Sequence, residues 1–72
     1  MHQNIKEHME VIGSDGTVVG TVDRIQGSEI KLTKGSGAAH HFIPLDWVAG
    51  VDSKVRLSKP ARDARAQWRE AA

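Results

Sequence analysis

Val11-Ile12-Gly13-Ser14-Asp15-Gly16-Thr17-Val18-Val19-Gly20-Thr21-Val22-Asp23 is the stretch on which the fold turns. Two β-branched runs flank Gly13-Ser14-Asp15-Gly16, whose residues tolerate positive φ or bond their own backbone, so the stretch reads as a β-hairpin. Its second arm spans Thr17 to Ile25, with Val18 and Val22 expected on one side and Val19, Thr21 and Ile25 on the other. Gly20 interrupts that arm where glycine normally weakens pairing. It therefore marks a sharp bend or a close backbone approach.

Upstream, Asn4 to Glu7 has the form of one capped turn, and Met9 and Val11 alternate with His8 and Glu10 at strand spacing. Downstream, Gln26-Gly27-Ser28 makes a second tight turn. Ile30 and Leu32 then point inward, against Glu29, Lys31 and Thr33. Residues 34–39 read as a loop. His40 to Ile43 is a short strand stopped by Pro44, which has no N–H for a ladder. Asp46 is placed to cap a helical turn through Trp47 and Val48, ended by Gly50. The last strand is expected over Val51 to Ser58, with Val55 and Leu57 inward and Lys54 and Arg56 outward. Pro60 then opens a helix running to about Arg69, with Ala61, Ala64 and Trp68 on one stripe.

Short strands joined by glycine turns imply an all-β fold, a small barrel of five to six strands with a short C-terminal helix. Closure would remove exposed sheet edges. The expected organisation is a barrel over residues 1–58 and a helical tail over 59–72, packed on the barrel or on a partner.

The ordered motifs Val11 to Gly16, Val19-Gly20-Thr21-Val22-Asp23 and Ile43-Pro44-Leu45 with Val48 resemble the PRC-barrel superfamily. The first two match its opening hairpin, and the third its later strand ending in Ile-Pro. The chain is also similar to a set of small stand-alone bacterial proteins of unassigned function, which share the Ser-Asp-Gly turn, the Ile-Pro step and a Trp-containing tail. The resemblance covers residues 5–58. It implies a fold and an adaptor-like habit, and brings no catalytic residue, because fold alone does not fix function.

Composition narrows the function. Seventy-two residues make one domain, and a chain of this size buries only about 60% of its unfolded surface. Small domains are usually reinforced by disulfides, a metal or a partner subunit. The chain has no cysteine, so self-association is the expectation. No apolar run is long enough to span a membrane. The N-terminus shows no signal-peptide pattern, and with no cysteine the expected location is cytoplasmic.

Each chemical constellation has a plainer reading beside it. His40 and His41 are neighbours on a strand and point to opposite faces, so they do not chelate one ion together. The remaining zinc ligands would have to come from His2, His8 or scattered carboxylates. The serines sit in turns and at element ends, away from any base. Asp15 makes a turn, Asp46 caps, and no carboxylate pair is poised for acid–base work. The glycines form no phosphate loop. The expectation is a non-enzymatic protein that uses no metal, no cofactor and no small-molecule substrate.

Charge is divided unevenly. Residues 1–50 carry four basic and six acidic side chains, net −2, and residues 51–72 carry six basic and three acidic, net +3. Lys54, Arg56 and Lys59, with Arg62, Arg65 and Arg69 on one helical face, outline a basic surface of the kind small barrels use for RNA. A solvated helix face is the plainer reading. Stacking aromatics for single strands are scarce, limited to Phe42, Trp47 and Trp68. Trp47 is expected to cover one barrel end. Trp68 either docks on its own barrel or anchors a partner, because alanines alone bury too little to hold its helix. The resulting expectation is a protein-interaction or structural module whose partner-binding residues are Trp68, Arg62, Arg65, Arg69, Lys54 and Arg56. The alternative is an RNA- or ribosome-associated barrel using the same basic surface.

Overall fold

A computed structural model describes residues 5–33 and 40–70. The capping residue Asn4 of the first expected turn, the loop over 34–39 and His2 lie outside the described residues; the described chain turns at Glu7-His8, where the Met9 N–H donates to the Lys6 carbonyl at 3.2 Å.

The chain is mostly β. Strands β1 (Glu10–Ile12), β2 (Val18–Gln26), β3 (Glu29–Leu32) and β4 (His41–Pro44) follow the predicted hairpins. The Gly13–Gly16 turn joins β1 to β2, with Gly16 at φ +83°, and Gly27 at φ +63° turns β2 into β3. Both values lie in the left-handed region that glycine adopts without penalty. Next come a 3₁₀ turn (Leu45–Trp47), β5 (Val48–Val51), β6 (Val55–Leu57), helix α1 (Ala61–Gln67) and β7 (Arg69–Glu70).

These strands form one sheet in the order β5-β6-β1-β2-β3-β4-β7. All pairs are antiparallel except β1 with β6, where Val11 lies beside Val55 and Ile12 beside Arg56. β2 joins the two halves: its first residues pair with β1, and Val22 to Gln26 pair with β3. The core gathers on the inner face. Val11, Val22, Ile30, Ile43 and Val55 have no exposed surface at all.

Several expectations are corrected. The sheet does not close into a barrel of five to six strands: it has seven, and among the described residues β5 and β7 stand at its ends without pairing to each other. β7 has only two residues and is exposed throughout, so it caps β4 and goes no further. Ala61 and Ala64 of α1 join the core in addition to the strands. The single strand expected over Val51 to Ser58 is a hairpin, β5–β6. Asp52 breaks it by accepting the Lys54 N–H on its carboxylate at 3.0 Å, a common turn device.

The turn before β5 is a 3₁₀ segment ending at Trp47, with Pro44 rather than Asp46 at its N-cap position, and Gly50 lies within β5. In β2, Val19 and Val22 are both buried while Val18 is exposed. Register shifts against β1 and again against β3 reset the two-residue period. Helix α1 ends at Gln67, so Trp68 and Arg69 are extended and not helical.

Candidate partner-binding site

The tail begins where the hairpin loop meets it. A Cβ built on Gly13 would lie 2.3 Å from the backbone nitrogen of Ala61, so only glycine lets the two backbones touch. Ser14 donates its N–H to the Lys59 carbonyl at 3.0 Å. The Asp15 carboxylate accepts from the Thr17 N–H at 3.2 Å, the Thr17 hydroxyl at 3.1 Å and the Ala61 N–H at 3.4 Å. Those bonds, led by the Thr17 N–H, hold the Asp15 carboxyl below its ordinary range. One bond also satisfies an otherwise orphaned donor at the start of α1. Ala61 and Ala64 are buried against the sheet, where their small size permits close approach. Farther along, Arg65 donates to the Val18 carbonyl at 2.7 Å.

At the end of α1 the chain straightens. The Trp68 N–H donates to the Ala64 carbonyl at 2.9 Å. Its half-buried ring stacks on His41, with centroids 3.8 Å apart and planes 15° from parallel. Arg69 pairs with Phe42, and Glu70 with His41, in the β4–β7 ladder. The Arg69 guanidinium forks onto the two Glu29 carboxylate oxygens and lies 4.4 Å over the Phe42 ring. Its bond to Glu29 raises its pKa further, so it is charged at every working pH.

The remaining candidates lie apart from this cluster. Lys54, in the turn before β6, bonds Glu10 of β1, and Arg56 pairs with Asp52 at 3.3 Å. The Lys54 N–H, then Arg56, lowers the Asp52 pKa. Lys59 lies 4.0 Å over the Trp47 ring and donates to Gln67. Arg62 is exposed on α1. The structure therefore brings Trp68 and Arg69 together at the β4 edge and leaves Lys54 and Arg56 near the opposite end of the strand order.

Glu29, His41 and Phe42 complete that cluster, and none was singled out from sequence as a partner-binding residue. Alternation had placed Glu29 outward, which was the one available hint. His40 and His41 have separate partners, as opposite faces require: His40 Nδ1 lies 2.9 Å from the Leu32 carbonyl oxygen.

These features define a small one-sheet β domain whose C-terminal segment docks on the sheet and covers one of its edge strands. The chain belongs to the family described as uncharacterized protein conserved in bacteria (DUF2171), whose model matches residues 5–65. No curated protein matches it. The family match covers the hairpins and most of α1, and stops short of Trp68 and β7. Among the described residues, no helix is long and apolar enough to cross a membrane.

Proposed function

We propose that this chain is a non-enzymatic interaction module of the bacterial cytoplasm, a relative of PRC-barrel domains with its sheet left open. It binds another protein, or a second copy of itself, through the β4 edge and the C-terminal segment. One observation carries this reading: Trp68 and Arg69, the aromatic and forked cation favoured at interface centres, are gathered on His41, Phe42 and Glu29 at the end of a sheet. The nucleic-acid reading draws less support. Lys54, Arg56 and Arg69 each face a carboxylate of their own chain, which offsets the charge a phosphate would meet.

The test uses point variants of the whole chain. Ending the chain at Ser58 would strip Ala61 and Ala64 from the core and confuse unfolding with lost binding. Full-length protein and the Glu29→Ala/His41→Ala variant, which removes the acceptor side chains of the edge, serve as baits in bacterial extract, and both are sedimented over a range of concentrations. A partner, or a dimer, present with the native chain and lost with the folded variant supports the reading. A native chain that captures nothing specific and stays monomeric at high micromolar concentration overturns it.

A further inference from the structure

The contact between β7 and β4 is small in backbone and rich in side chains. β7 pairs with His41 and Phe42 only, while Ile43 and Pro44 of β4 run on beyond it. Two paired residues on a sheet edge have little stability of their own. Trp68 on His41, and Arg69 on Glu29 and Phe42, supply the rest. Glu29, His41 and Phe42 lie within the segment matched by the family model, whereas the residues seated on them do not. The edge and its aromatic and acidic contacts lie on the sheet itself, and in this structure the terminal segment fills them.

We propose that the outer edge of β4 is a docking site for an extended peptide from a protein partner, one carrying an aromatic residue followed by arginine, and that β7 is its displaceable built-in occupant. The incoming segment runs antiparallel to β4, as β7 does. It adds a strand through main-chain bonds, stacks its aromatic ring on His41 and forks its arginine onto Glu29 over Phe42. Strand addition of this type takes affinity from the backbone and specificity from side-chain contacts. This proposal rests on the interaction-module reading and names the partner's form.

Tethering makes β7 a strong competitor, since short linkers give effective concentrations on the order of millimolar. A foreign peptide's apparent affinity is therefore reduced by the fraction of molecules in which the edge is open. Loosening β7 should raise that affinity without touching the site.

The probe is a capped peptide, Ala-Gln-Trp-Arg-Glu, copied from residues 66–70 and titrated into isotope-labelled full-length protein. In the Trp68→Ala/Arg69→Ala variant, amide shifts should centre on His41, Phe42 and Ile43. The peptide should bind at least about tenfold tighter there than to the native chain, the ratio expected when a mostly closed occupant is removed. A control peptide with alanine in place of Trp and Arg should not bind, and Glu29→Ala added to the loosened variant should weaken binding. If the double variant gives a collapsed spectrum, Arg69→Ala alone replaces it, since that side chain is exposed. Equal affinity in native and loosened chains, or shifts centred away from β4, overturns the proposal. A dimer of the native chain that is lost in the loosened one would name a second copy as the occupant, which also overturns it. A partner captured from extract alongside a failed peptide titration would leave the module reading standing and remove only this site.

Discussion

Gly13 lies directly against the peptide nitrogen of Ala61, so close that a Cβ on the glycine would stand 2.3 Å from it. This contact ties the first hairpin to the last helix across most of the chain. Gly13→Ala should therefore act as overpacking, costing about 1–3 kcal/mol. At roughly 4–8 °C per kcal/mol for a domain this small, thermal melts will show the loss. Gly50, which has nothing within 4 Å of a built Cβ, is the control, and Gly50→Ala should shift the melting temperature by only a few degrees at most. Equal effects at the two positions would contradict the contact.

Asp15 gives the same junction a pH dependence. Its pKa is depressed in the folded state, chiefly by the Thr17 N–H. Its contribution is therefore present above the unfolded-state value of about 4 and fades as pH falls through the lower folded value. Asp52, depressed by the Lys54 N–H and by Arg56, behaves likewise. Asp15→Asn should lower the melting temperature at pH 6, and the gap to the native protein should shrink by pH 3. A gap independent of pH would mean that the charge on Asp15 plays no part.

Ile25 and Ile30 face each other across the β2–β3 hairpin, yet Ile25 is 39% exposed and Ile30 is not exposed at all. Ile30→Ala should cost about 2–5 kcal/mol, a large share of the stability of any small domain. Ile25→Ala should cost much less, since little of its burial is lost. Urea unfolding of the two variants checks the difference, and comparable midpoints would refute the assignment of the inner face.

Nucleic-acid binding is testable through salt. Lys54, Arg56 and Arg69 are each engaged with an acidic side chain, which leaves Lys59, Arg62 and Arg65 of that basic surface to displace counterions. Any affinity for RNA should follow log salt with a slope shallower than about −3, equivalent to about three neutralised phosphates. Fluorescence titrations at several salt concentrations measure it. A slope near −5 would restore the basic surface as a binding site.

The hairpins were legible because their signals are local. Ser14-Asp15-Gly16 and Gly27 specify turns through φ and side-chain bonding, and alternation placed Ile30, Leu32, Val55 and Leu57 inward, where they are buried. Pro44 ends β4 as its missing N–H requires. Gly20 is a close approach, with a built Cβ 3.3 Å from the Leu32 side chain. Of the site, Trp68 and Arg69 could be read as a conspicuous aromatic and cation in a tail short of apolar support. Glu29 and His41 carried no comparable mark, because they matter only through residues some forty and twenty-seven positions away in sequence.

By itself, then, the sequence determined strands β1 to β4 and β6, the turns at Gly13–Gly16 and Gly27, most of the inward residues and the presence of a C-terminal helix. Each of these follows from side-chain period or backbone preference within a few neighbouring positions. Only the tertiary structure decided that β6 lies parallel beside β1, that β2 changes phase twice, that the sheet stays open, and that the tail leaves its helix at Gln67 to end as a strand on β4. These outcomes depend on which distant surfaces fit together. Gly13 against Ala61 and Trp68 against His41 are fits of shape between segments far apart in the chain, and no local pattern records them.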